Sequence, residues 1–362
     1  MKRIVFTVTN DLIYDQRMIR ICNSLTTAGY KITLVGRTIR NSLPLTNQSF
    51  NQKRLFCLFS SGKLFYVEYN LRLFFFLLFH KADIIGAIDL DTILPCYLIS
   101  KLKSKKRVYD AHELFCEMKE IVSRPFIYKC WKWLERVTVP KFQIGYTVNH
   151  PIADEFEKMY GVKYEVIRNA PIYQNTDIPV KKERFILYQG AVNEGRSFET
   201  LIPAMQWVDA QLVICGDGNF MQQVSNLANE YQVEGKIVFK GKILPEELKK
   251  ITLQAWAGVT LFDAEGKSNY YSLANRFFDY IQAGIPQLCV DYPVYRELNN
   301  KYNIAVLTGD LSPESLALKL NELLNNEQLY RSLQQNCLDA RRILCWQEEE
   351  KKLIAFYQKM FN

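Results

Sequence analysis

A chain of 362 residues is too long for one ordinary domain and fits two, and 48% hydrophobic residues supply two cores with no low-complexity tract. A net charge of +8 suits nucleic acid, an anionic membrane or a phosphorylated ligand, and no nucleic-acid motif accompanies it, so no nucleic-acid partner is expected. Nine scattered cysteines with no Cys-x-x-Cys pair, beside three histidines, exclude a disulfide framework, leave no zinc ligand set and suit a reducing, cytoplasmic compartment.

Residues 4–9 read as a strand that lacks a signal-peptide cleavage site. Residues 16–28 follow as an amphipathic helix closed by Gly29. Strands are expected at 31–36, at 82–87 after an irregular insertion, at 106–109, 143–148 and 164–167, with a helix over 90–102. Within the insertion, two apolar segments, 55–59 and 71–79, are edged by Lys53, Arg54, Lys63, Arg72 and Lys81. They fit either a peripheral contact at the inner face of a membrane or a helix buried in the first domain. Arg72 interrupts the longer one, which falls short of the ~20 residues a spanning helix needs, so the chain is expected not to cross the membrane.

Further strands are expected at 184–188, 211–215, 236–239, 257–261, 286–290 and 304–307, again separated by helical patterns. Alternation of this kind defines an α/β protein with parallel sheets covered on both faces. The expected architecture is two Rossmann-like, doubly wound domains with an interdomain cleft, spanning 1–170 and 171–345, followed by a terminal helix, 346–362. The boundary falls in a polar, proline-bearing stretch, 169–179.

Ligands of such sheets bind beyond the carboxyl ends of the strands. After the first strand, Asn10-Asp11-Leu12-Ile13-Tyr14-Asp15-Gln16-Arg17 offers Asp15 as a helix N-cap or an acceptor-side group, with Arg17 one turn further and able to face the cleft. Asp89-Leu90-Asp91-Thr92 reads the same way, as helix cap or acceptor contact. His112 and Glu113 follow another strand; a neutral imidazole there either hydrogen-bonds a substrate oxygen or caps the next segment. Gly216-Asp217-Gly218 lets backbone pass close to a ligand.

The most informative stretch runs from Asn269 to Pro286, where polar residues precede an amphipathic helix that Gly284 ends. A helix start offers unpaired N–H groups and a positive dipole end, suited to a diphosphate. Asn275 and Arg276 in its first turn can add donors, and Asp279 can accept from a ribose diol. The competing reading is a capped core helix with solvated polar residues.

The run Asp279-Tyr280-Ile281-Gln282-Ala283-Gly284-Ile285-Pro286 resembles the signature of the retaining glycosyltransferase family 4, the group 1 glycosyltransferases. In that family a Glu, seven residues and a second Glu precede Ala-Gly or Cys-Gly and an apolar strand. The second Glu, which holds the ribose, falls on Asp279, and the first falls on Tyr271, a departure; Glu265-Gly266 resembles the family's opening Glu-Gly but lies further upstream. The resemblance puts Gly190 in the glycine turn of the second domain and Arg196 at a lysine position on the diphosphate. The companion arginine position falls near Ala191, with Arg276 or Lys267 as substitutes. It also sets His112 near the donor sugar and makes 216–218 the Gly-x-Gly turn.

Extended over nearly the whole chain, the resemblance implies a GT-B fold whose terminal helix returns toward the first domain. It implies retaining transfer from a nucleotide-diphosphate sugar to a glycan, lipid-linked or other acceptor, without metal or other cofactor, as in polysaccharide biosynthesis. Two alternatives stand beside it: a non-catalytic nucleotide-sugar-binding scaffold, suggested by Tyr271, and a UDP-sugar 2-epimerase-like enzyme, which the few histidines disfavour. A nicotinamide dehydrogenase is not expected, because no Gly-x-Gly-x-x-Gly follows the first strand.

Overall fold

Ile4, Val5 and Phe6 are almost wholly buried, as are Ile84, Ile85 and Ala87, because each belongs to a strand covered by helices on both faces. The computed structural model describes residues 1–13, 15–39, 42–175 and 182–361. Residues 176–179 of the expected boundary stretch, and Tyr14, lie outside the described residues. The chain divides into two units, one of Met1–Asn169 with Glu349–Asn362 and one of Ala170–Glu348.

In the first unit, β1 (Arg3–Thr7), β2 (Lys31–Arg37), β3 (Asn51–Leu55), β4 (Ile84–Ile88), β5 (Lys106–Ala111), β6 (Gly145–Thr147) and β7 (Glu165–Val166) form a parallel sheet. Their order is β3-β2-β1-β4-β5-β6-β7. The edge strand β3 falls inside the stretch expected to be irregular. Its sequence, Asn-Gln-Lys-Arg-Leu, has no apolar face to betray it, since an edge strand has less to bury. Arg54, expected as a membrane-edge cation, is instead paired with the buried Asp11, Nη2 to Oδ1 2.5 Å.

The longer apolar segment of the insertion lies in one helix, Gly62–Phe79, and that helix is half of each alternative. Phe65, Tyr69, Leu73 and Leu77 are buried, while the opposite face is apolar and exposed. From the C-terminal segment, Phe356 and Tyr357 close the other side of the sheet, with ring centroids 5.1 and 6.4 Å from Tyr146.

The second unit repeats the plan with β8 (Glu183–Gln189), β9 (Gln211–Cys215), β10 (Ile237–Gly241), β11 (Ala255–Thr260), β12 (Gln287–Val290) and β13 (Val306–Thr308), ordered β10-β9-β8-β11-β12-β13 and all parallel. The helix Asn275–Gln282 buries Phe277, Phe278 and Ile281 against this sheet. Each such burial contributes roughly 1.5–3 kcal/mol, which fixes which side of the helix faces outward. In both sheets the strand order reverses beside the first strand of the unit, at β1 and at β8, and such reversals are where α/β sheets open to ligands.

Candidate functional site

At the ends of β1, β4 and β5 the first unit holds a cluster of carboxylates around one histidine. Asp89 adopts a left-handed backbone, φ 55°, and its N–H bonds Asp110 O at 3.0 Å. Strain of this kind in a non-glycine residue persists only where the surroundings impose it. The Asp89 carboxylate accepts the His112 N–H at 2.9 Å and lies 3.2 Å from His112 Nδ1, while His112 Nε2 lies 3.2 Å from Asp110 Oδ2.

Burial alone would favour the neutral ring, but Asp89 and Asp110 outweigh it and hold the His112 pKa well above 6.5. In place of the neutral imidazole expected from the sequence, the two flanking carboxylates favour the charged ring of His112. Burial also works against the Asp110 anion, but Arg17 and His112 overcome it and keep the carboxyl below its ordinary 3.8. Asp91 behaves oppositely. Loss of solvent and then the neighbouring Asp89 charge push it up to about 7, although the Thr9 hydroxyl donates to it.

A cavity of about 390 Å³ opens here, lined among others by Thr9, Asp89, Asp91, His112, Glu113 and Phe115. It combines a fixed cation–anion pair with a carboxyl that exchanges its proton near neutrality, the equipment to orient a hydroxyl and take its proton.

Of the acceptor-side candidates, Asp15 takes the N-cap role offered for it, and the outward orientation expected of Arg17 is corrected. Asp15 caps the helix Gln16–Thr27, accepting from Met18 N at 3.0 Å and from Asn10 Nδ2 at 3.2 Å. Arg17 does not face outward: it is 3% exposed, with Nη2 and Nε on Asp110 and Nη1 on Ile167 O at 3.1 Å.

In the second unit, the loops after β8 and β9 interlock. A Cβ on Gly216 would sit 1.8 Å from Gly190 O, and one on Gly218 would sit 2.2 Å from Val192 O, so only glycine lets the two turns touch. Gly190 itself has φ 122°. Backbone bonds stitch them together: Gly190 N to Cys215 O at 3.0 Å and Val192 N to Asp217 O at 3.1 Å.

Asp279 accepts from Gln189 Nε2 at 2.8 Å, and Gln189 Oε1 accepts from Thr252 Oγ1 at 2.8 Å, so the carboxylate is held at the end of β8. Asn275, exposed at the start of the same helix, follows Ala274, which offers no side-chain cap. Arg196 lies over the Phe262 ring at 4.6 Å and reaches Asn269 Oδ1 at 3.4 Å.

Arg276, expected to present donors from the first turn, is turned into the core instead. It is 7% exposed, packs on Phe262 at 4.6 Å and Tyr188 at 4.7 Å, and bonds Tyr188 OH and Leu261 O. Phe262 thus carries two guanidinium groups. Tyr271 is half-buried, just after the short helix Lys267–Tyr270 that separates it from Glu265-Gly266.

Sequence reasoning passed over Gln189, Thr252 and Asp110. A polar Gln189 closing the apolar run of β8 was the available signal. Among the described residues, no group of three or more His, Cys, Asp or Glu side chains is placed to hold a metal ion.

Residues 174–338, just under half of the chain, match the model of the family glycosyl transferases group 1. No curated protein matches the chain. Among solved structures, it is similar to sucrose-phosphate synthase from Thermosynechococcus elongatus, at 14% identity and TM-score 0.81, over 100% of this chain and 99% of that one. It is also similar to Anabaena HepE in complex with UDP-glucose, at 11% identity and TM-score 0.72, over 99% and 100%. A putative UDP-N-acetylglucosamine 2-epimerase from Listeria monocytogenes matches at 12% identity and TM-score 0.66, over 100% and 97%.

At such identities the likeness is one of fold, and the fold is GT-B. With the family match over the second unit, the chain is a glycosyltransferase related to the group 1 enzymes.

Proposed function

We propose that the protein moves a sugar from a nucleotide-diphosphate donor to a glycan or lipid-linked acceptor, with retention of configuration and without a metal, on the cytoplasmic side of a membrane. One observation carries the donor half: Asp279, held by Gln189, stands at the end of β8 on a helix with no side-chain cap, and Gly190 of the interlocked turns directly follows that strand. In this reading the turns at Gly190 and at Gly216 and Gly218 let the diphosphate approach the backbone closely. Asn275 and Arg196 add donors, and Asp279 accepts from the ribose hydroxyls. The helix start and Arg196 stabilise charge on the departing diphosphate as it takes the electron pair of the broken C–O bond. The complex of Anabaena HepE with UDP-glucose supports a nucleotide sugar as donor.

The first-unit cavity supplies the acceptor half. Asp89 and His112, with Glu113, orient the incoming hydroxyl, and the Asp91 carboxylate accepts its proton as the new C–O bond forms. Retention rests on the family resemblance.

The test is thermal stabilisation by a panel of nucleoside diphosphates and nucleotide sugars, run on the natural chain and on Asp279→Ala. A ligand at 100 times its Kd stabilises by about 2.7 kcal/mol. A shift with one nucleotide that the variant loses supports the reading; no shift with any of them sinks it. The 2-epimerase likeness makes a second reading concrete, and an inverted donor sugar formed without acceptor would favour it.

A further inference from the structure

We propose that the outer face of three neighbouring helices of the first unit seats the protein on an anionic lipid bilayer. This deepens the reading of a protein working at a membrane by naming the surface and the lipid charge it requires. Helix Gly62–Phe79 turns Leu64, Val67, Leu71, Phe75 and Phe79 outward, between 51% and 82% exposed, at spacings of three and four that form one stripe. Beside it, helix Ile93–Leu102 exposes Leu94, Leu98 and Leu102. The third helix, Pro125–Thr138, adds Phe126, Trp133 and Val137. Lys63 Nζ lies 4.8 Å over the Phe126 ring, and Tyr66 meets Trp131 edge-on at 5.3 Å, so the first and third helices share one surface.

Single exposed apolar residues are ordinary, but a continuous face built from three helices marks an interaction site. Its charge identifies the partner. Every exposed charged side chain on these helices is a cation: Lys63, Arg72, Lys101, Lys129 and Arg136. The two acids are withdrawn: Glu68 pairs with Arg72 at 2.8 Å, and buried Glu135 with Lys132 at 2.8 Å.

A second copy of the same face would set cations against cations. An anionic bilayer meets both demands, accepting leucine, phenylalanine and tryptophan at its interface while its phosphates face the lysines and arginines. No helix among the described residues is long and apolar enough to cross, so the face lies on the membrane.

The surface also contains an apolar hollow of about 520 Å³ between Leu94, Trp131, Trp133 and Leu134. Trp131 packs on Phe115, a wall of the acceptor cavity, at 4.9 Å. A lipid-linked acceptor resting in the hollow would therefore be one aromatic pair from the carboxylate cluster.

The test is sedimentation of the full chain with vesicles of phosphatidylcholine alone and of phosphatidylcholine with an equal part of phosphatidylglycerol. Binding about tenfold stronger to the anionic vesicles, weakened by salt, is expected. Leu71→Ser with Phe75→Ser should abolish binding, and Lys63→Glu with Lys129→Glu should abolish the preference for anionic lipid. All four positions are exposed, and an unchanged melting temperature shows that the variants fold. Failure of the natural chain to bind either vesicle, unaltered binding by the Leu71/Phe75 variant, or a dimer in solution that this variant dissolves without any vesicle binding overturns the proposal. Vesicle binding requires no donor, so its failure leaves the nucleotide-dependent stabilisation standing as a separate result.

Discussion

Arg17 and Asp110, 93 positions apart, meet as a buried fork: Nη2 to Oδ1 at 2.9 Å and Nε to Oδ2 at 3.2 Å. The pair sits directly under His112, so the same carboxylate that neutralises the arginine also steadies the imidazolium. Removing one partner leaves the other as an uncompensated buried charge. Arg17→Met is therefore expected to cost about 3–5 kcal/mol in chemical denaturation, and Arg17→Met with Asp110→Asn distinctly less than the two single changes added together. Additive losses would mean that the two residues do not act as a pair.

The charge on His112 gives a pH dependence with a definite sign. A histidine whose folded pKa is raised adds stability that is fully present below about 6.5 and is lost as pH rises through the higher folded value. Nuclear magnetic resonance of the ring, with His80 and His150 as internal comparisons, should find His112 titrating above 6.5 and moving downward in Asp89→Asn. A His112 titration at or below 6.5 in the natural chain would contradict the two-carboxylate cradle.

Asp91 is raised, so its linkage runs through a different window. Between its ordinary 3.8 and about 7 the folded chain retains a proton that the unfolded chain has released, and stability falls as pH rises across that interval. Asp91→Asn, fixed in the neutral form, should lack this loss, so the difference in stability between the two proteins should grow from pH 4 to 7 and then level off. Thr9→Val, which removes the hydroxyl that donates to the carboxylate, should move the inflection higher still.

The interlocked turns offer a steric test. Gly216→Ala places its methyl against Gly190 O and should destabilise the chain by roughly 1–3 kcal/mol while weakening nucleotide-dependent stabilisation. Gly235, where a Cβ would meet nothing within 4 Å, is the control, and Gly235→Ala should stay within about 0.5 kcal/mol of the natural chain. Equal behaviour of the two variants would show that the turns are not in contact.

The doubly wound plan was legible because buried parallel strands are apolar along their whole length, as in Phe185 to Tyr188 or Leu212 to Cys215. β3 was not, since an edge strand of Asn, Gln, Lys and Arg carries no such mark. Strand ends pointed to His112 and Gly216, and the amphipathic run before Gly284 pointed to the helix that carries Asp279. They could not disclose charge states or partners: the charged form of His112 is favoured because Asp89, 23 positions away, and Asp110 converge on it. Arg17 and Arg276 looked like outward-facing cations because each stands one turn or less into a helix beyond a strand end. Their burial depends on an acid and on aromatic rings supplied from elsewhere in the chain.

The aromatic closure of the first sheet sets an order of events during synthesis. Tyr357 is fully buried against Phe6 and Tyr146, and Phe356 beside it is 4% exposed. Yet these residues leave the ribosome after every strand of the second unit. A nascent chain that has completed residues 1–169 therefore holds all seven strands of its first sheet with one aromatic flank still bare. The second unit, whose residues are contiguous, can mature while that flank waits, so the half that begins first is the half that finishes last.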